Sequence, residues 1–147
     1  MRMILAILLG AGPAPADPQA AVTYESAVQK LMAKQCRECH GPKSPTMEEY
    51  AKDWKAFQKR KLGPRMDSYE GVMYFVNGPD AGALMRQLDD GGGRDGKAGD
   101  MYEHLGETPA ERAANLRIFK SWIGGWTLKE GAQMTEADRK AILARRR

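Results

Sequence analysis

The sequence predicts an all-α fold in a single domain, and three observations carry that expectation. Apolar residues recur at spacings of three and four in several separate stretches. Residues that start and stop helices bracket those stretches. No segment sustains the two-residue alternation of a half-buried strand. A length of 147 residues suits one domain, and no internal repeat argues for a second. With 42% apolar and 29% charged residues, the chain fits neither a disordered tail nor a multi-span membrane protein.

The first helix is marked by Tyr24, Ala27, Val28, Leu31 and Met32, and runs into Cys36-Arg37-Glu38-Cys39-His40 before Gly41-Pro42 stops it. Thr46 and Glu49 form a capping-box pair for a second helix, with Met47, Tyr50, Ala51, Trp54 and Phe57 on one face and Gly63-Pro64 at its end. Asp67 and Glu70 open a short third helix that closes at Asn77-Gly78. Pro79 suits the first turn of a fourth, carrying Ala83, Leu84 and Leu88. Five Gly and four Asp between Asp89 and Asp100 read as a mobile surface loop. Thr108-Pro109-Ala110-Glu111 starts a fifth helix to Ile123, with Leu116, Phe119 and Ile123 facing inward, stopped by Gly124-Gly125. Thr135 and Asp138 begin a short helical tail, residues 135–147, that frays into Arg145-Arg146-Arg147. Trp54, Trp122 and Trp126 read as core residues rather than redox relays.

Residues 1–16 read as a secretory signal: Arg2, an apolar run from Met3 to Leu9, and Ala14-Pro15-Ala16 in the small-x-small form of a cleavage site. The run falls well short of the ~20 residues a spanning helix needs. An uncleaved interfacial anchor is the alternative. No Cys follows the run, which argues against a lipoprotein. Residues 17–147 are then the mature domain, beginning with a loose leader from Asp17 to Val22. Without Arg2 it has 22 basic and 19 acidic residues, a net +3. There is no basic face interleaved with aromatics, so nucleic acid is not an expected partner.

Only two Cys and two His occur, and three of these four lie within five positions. Cys36-x-x-Cys39-His40 is the attachment motif of c-type haem. Two thiols three residues apart on a helical turn can each add to one porphyrin vinyl group, and the adjacent His40 can then coordinate the iron. Other readings compete. A thioredoxin-like pair sits where a strand meets a helix, and no strand pattern precedes Cys36. A zinc site wants four ligands, and only His104 is left for the fourth. A disulfide would gain little from closing so short a loop.

On these residues the sequence resembles the class I monohaem cytochromes c. In that family an N-terminal helix leads into the C-x-x-C-H turn, a loop supplies a Met, and a C-terminal helix packs across the first. The resemblance implies a cytochrome c-like helical fold around one covalently bound haem c, with Cys36 and Cys39 as thioethers and His40 as proximal iron ligand. It covers about the first twenty-five mature residues and residues 99–123, with the closing helix at about 108–123. The stretch from Lys43 to Ala98 is longer than in compact members, and Gly124 to Arg147 is an added tail. Class I cytochromes place a loop Met shortly before the closing helix. Met101, after the Gly-rich loop, matches that position and is the expected distal ligand.

His104 is the alternative distal ligand, since imidazole binds iron strongly, although an ordinary surface histidine is the plainer reading. Met66 also lies in a loop; Met32, Met47, Met73 and Met85 are better explained by packing. The Asp-rich loop lacks the ligand order of a calcium site. The resulting expectation is a periplasmic or otherwise exported single-electron carrier with His/Met ligation and no membrane span. It would dock transiently on redox proteins, with Lys43, Lys97 and Lys120 as candidate contacts. A haem enzyme or gas sensor with an exchangeable sixth ligand is the alternative function.

Overall fold

A computed structural model describes residues 22–147. The proposed signal at residues 1–16 and most of the leader lie outside the described residues.

Thr23 caps the first helical stretch reciprocally with Ser26, giving a π-helical turn, Tyr24–Val28, that continues into α1, Gln29–Gln35. After a break at Cys36 comes the single turn α2, Arg37–His40. Next are α3, Met47–Lys52, α4, Trp54–Lys59, α5, Tyr69–Val76, and α6, Ala83–Leu88. A 3-10 turn, Tyr102–Leu105, precedes the long α7, Pro109–Ile123, and α8, Glu136–Ala141, follows. Among the described residues there is no strand, only an isolated antiparallel bridge between Gly124 and Ile142.

The core lies where the π-helical turn and α1 meet α7. Val28, Phe119 and Ile123 are fully buried, and Tyr24 stands 6.0 Å from the Trp122 ring. Val72 and Val76 of α5 and Met85 of α6 close it from the other side. The expected inward face of α7 is the observed one, as are its cap at Thr108 and Pro109 in the first turn. Glu111 reaches one residue further back than a capping box would, accepting from Glu107 N–H at 3.0 Å.

Five expectations need correction, four of them at helix boundaries and faces and the fifth at the C-terminus. The helix from Thr46 is broken at Asp53, whose φ of −150° leaves the helical region and whose carboxylate caps Ala56 N–H at 3.2 Å. An Asp can satisfy a new helix start with its own side chain, so it competes with helix continuation. Neither half buries a residue, and Trp54, expected in the core, is 46% exposed. Pro79 does not start α6: Gly82, at φ 80°, intervenes in the left-handed region and the helix begins at Ala83. Ser68 rather than Asp67 caps α5, because the Asp67 carboxylate is taken by Arg65 at 2.7 Å.

The C-terminal tail does not fray. After α8 the chain returns as a strap: Leu143 N–H donates to Ile123 O at 2.8 Å, and Arg145 O accepts from both Tyr24 N–H at 2.9 Å and Trp122 Nε1–H at 2.8 Å. Within the Asp-rich loop, Asp89 is buried and accepts from Gly91 N–H at 3.0 Å, while Gly99 N–H donates to Asp89 O at 2.8 Å.

Candidate haem-attachment site

Cys36 ends α1, donating its N–H to Met32 O, and the turn that follows carries Cys39 and His40. His40 N–H returns to Cys36 O at 2.9 Å, so both thiols and the imidazole project from one helical turn. Ser44 Oγ–H and Gly63 N–H both donate to Cys39 O at 2.8 Å, fixing the turn from two sides. Both thiols are free and half-buried.

The His40 ring is held by a backbone contact from a distant loop. Its Nδ1 lies 2.8 Å from Pro64 O. A carbonyl only accepts, so the proton sits on Nδ1 and the Nε2 lone pair is left free. Gly63 packs flat on the ring: a Cβ there would collide with His40 Cε1. Burial lowers the His40 pKa; the bond to Pro64 opposes that shift, and the charge of His104 adds to it. The imidazole is therefore neutral near pH 7, the form that ligates metal. Burial, and secondarily Cys39, pushes the Cys36 thiol up to about 11. A thiol-disulfide oxidoreductase depends on the opposite shift, toward a thiolate.

A cavity of about 270 Å³ opens here, bordered by Met32, Cys36, His40 and Met66. Met66 is buried, and its N–H donates to His40 O at 2.9 Å. Met101 is half-buried at the fringe of the core, its N–H on Gln87 O at 3.0 Å. Gly99 lets this loop lie directly on the α6 backbone, where a Cβ would strike the carbonyls of Arg86 and Gln87. His104 is exposed in the 3-10 turn, yet near enough to His40 for its charge to be felt. The structure thus groups Cys36, Cys39, His40 and Met66, and sets His104 within electrostatic range. Among the described residues no three His, Cys, Asp or Glu side chains gather as a metal cluster, so a Cys36-Cys39-His40-His104 zinc set is not formed. Lys43 and Lys97 are exposed, whereas Lys120 is engaged by Asp90 at 3.9 Å and by the Trp126 ring.

The sequence reading missed Gly63 and Pro64 as site residues, treating them only as a helix stop. Nothing local marks them, because their partner His40 is 24 positions away from Pro64.

A helical fold without described strands, a C-x-x-C-H turn and an imidazole with its Nε2 free define a monohaem c-type cytochrome. The family model PccH cytochrome c matches residues 23–143, and the chain belongs to that family. The chain is also similar to the solved structure of the monohaem cytochrome PccH from Geobacter sulfurreducens, at 38% identity and a TM-score of 0.79, over 84% of this chain and 98% of that one. Among curated proteins none shows significant similarity. The family carries one covalently bound haem c, and the chain is accordingly a haem electron carrier. The match spans the enlarged centre and the start of the strap, both of which lay outside the resemblance carried by the motifs.

Proposed function

We propose that this protein is an exported single-electron carrier in which Cys36 and Cys39 form the haem thioethers, His40 is the proximal iron ligand and Met101 the distal one. The observation that carries the reading is the His40 Nδ1–H bond to Pro64 O, since it fixes tautomer and ring plane and leaves Nε2 as the free ligand. When bound, the haem supplies a one-electron iron couple whose potential follows axial ligands and burial. The chain's own part is to hold its ligands still. Gly63 and Pro64 clamp the imidazole, Ser44 and Gly63 brace the Cys39 carbonyl, and Met32 and Met66 supply apolar walls to the adjoining cavity.

Met66 is two residues beyond Pro64 and its N–H is bonded to the His40 carbonyl, so its backbone is tied to the turn that carries the proposed proximal ligand. This supports Met101, a half-buried loop Met, over Met66 for the other side. His104 remains the imidazole competitor. Export rests on the signal pattern of residues 1–16; among the described residues no helix is long and apolar enough to cross a membrane.

Visible spectroscopy of the purified holoprotein tests the assignment. The native ferric form should show the far-red sulfur-to-iron charge-transfer band, lost in Met101→Ala and kept in His104→Ala. Survival of the band in Met101→Ala would reject that ligand. A native high-spin spectrum that shifts with carbon monoxide would instead support the exchangeable-ligand sensor or enzyme.

A further inference from the structure

Helix α4 and the turn that leaves it carry a concentrated charge, of which only Arg60, 4.7 Å from the Phe57 ring centre, packs on a half-buried side chain. From Trp54 to Leu62 there are four cations, Lys55, Lys59, Arg60 and Lys61, and no acid. All four are exposed, and among the described residues none of them makes an ion pair. The acids just upstream are already committed: Glu48 to Lys52 at 2.9 Å, Glu49 to Thr46 N–H at 2.8 Å, and Asp53 to Ala56 N–H at 3.2 Å. Trp54 lies open among these cations, with the Lys55 ammonium 5.5 Å from its ring centre. Neither α3 nor α4 contributes a buried residue.

Lys61 adds an independent observation. It ends α4 in the left-handed region at φ 57°, donating to Gln58 O at 2.9 Å while Leu62 N–H donates to Phe57 O at 3.0 Å. Glycine is the usual residue at that position of this helix-ending motif because a Cβ is strained there. The chain keeps a cation where glycine would fold at lower cost. Two residues later, Gly63 N–H is bonded to Cys39 O and Pro64 O to His40 Nδ1, both at 2.8 Å. The cationic segment is thus tied by backbone to the haem-attachment turn.

We infer that the exposed surface of α4 and its C-terminal turn, with Trp54, Lys55, Lys59, Arg60 and Lys61, is the docking surface for an acidic redox protein that exchanges electrons beside the Cys39 turn. The inference rests on the electron-carrier reading. Unpaired like charges steer an oppositely charged partner and set its orientation. A half-exposed Trp within them supplies the anchor such interfaces favour. An anionic membrane fits less well, because Trp54 is the one large apolar side chain of the segment that is exposed, while Phe57 is half-buried and stacked on Tyr50.

Voltammetry of the holoprotein on gold coated with a carboxylate-terminated monolayer, at low salt, supplies an acidic probe surface. Lys55→Glu/Lys59→Glu/Lys61→Glu should slow electron transfer about tenfold or more. Lys30→Glu/Arg117→Glu/Lys140→Glu, of equal net charge, should stay within about twofold of native. The visible spectrum should be unchanged in both. If the glutamates prevent folding, the corresponding glutamine triple variant serves, with a smaller loss in the same direction. Equal losses in both charge-reversed variants would reduce the effect to net charge and overturn the proposal, as would an unaffected α4 variant. Sedimentation with phosphatidylglycerol vesicles that the α4 changes abolish, with monolayer rates unaltered, would reassign the surface to a membrane. Absence of any reversible one-electron wave would instead overturn the carrier reading itself.

Discussion

At the scale of single residues, the site depends on a contact that has no side chain on one of its two sides. Gly63 leaves room for the His40 ring, and Pro64 contributes only its carbonyl. Gly63→Ala forces a methyl group into the imidazole, so either the ring or the 62–66 loop must move. Overpacking of this kind costs about 1–3 kcal/mol. The variant should melt correspondingly lower and show an altered visible spectrum in the holoprotein, because the ligand plane turns. Pro64→Ala retains the carbonyl and should leave the spectrum near native; an unperturbed spectrum in Gly63→Ala would remove the clamp from the argument. Cys36, Cys39 and His40 could be read from sequence because the chemistry demands a fixed local spacing, whereas Gly63-Pro64 looks like any helix stop until the fold brings it to His40.

Helix boundaries set by local chemistry were readable in the same way. Thr46, Thr108 and Thr135 each accept a hydrogen bond from the N–H three residues on, as their spacing to Glu49, Glu111 and Asp138 implies. The interruptions at Asp53 and Gly82 were not readable: an Asp inside an apolar-periodic stretch can equally stay in the helix or cap a new one, and Pro79 offers a helix start three residues before the left-handed Gly82 that precedes the observed one. Trp54 shows the difference: it has helical spacing with Tyr50 and Phe57, but α4 lies off the core and the indole stays exposed. The α8 start also makes a pH prediction. Asp138 accepts from Lys129 Nζ at 2.7 Å and from Thr135 N–H and Oγ1–H, both at 2.8 Å, and these hold its pKa down at about 2. A carboxylate depressed by folding stabilises above its ordinary value of 3.8, and that contribution is lost as pH falls through about 2. Asp138→Asn should therefore lower the melting temperature at neutral pH and flatten its decline between those two values. Parallel acid limbs in thermal melts would count against the pairing.

Over the whole molecule, the C-terminal strap connects parts that the helices alone leave separate. The terminal arginines read, from composition, as surplus charge on a frayed tail. In the structure, Arg145 lends its carbonyl to Tyr24 and Trp122, Ala144 lends its own to Tyr69 Oη–H at 2.9 Å, and Glu25 N–H donates to Arg146 O at 3.1 Å. The strap so joins the π-helical turn, α5 and α7, the elements whose crossing places α1 and its Cys36 turn. A sequence reading could not find this, because the partners are backbone carbonyls, which every residue has. Two kinds of bond can be separated experimentally. Arg146 also pairs with Glu70 at 2.8 Å and Glu25 at 3.4 Å, but these groups are about half exposed or more, where ion pairs contribute roughly 0–1 kcal/mol. Trp122 is 1% exposed, and a buried indole N–H without an acceptor costs about 1–3 kcal/mol, before the lost backbone bonds are added. Ending the chain after Leu143 should lower the unfolding free energy by at least about 2 kcal/mol, read from denaturant midpoints. Arg146→Ala should lower it by less than about 1 kcal/mol, because the alanine keeps the carbonyl. If Arg146→Ala cost as much as the truncation, the strap would be held by its charges, and the backbone account would fail.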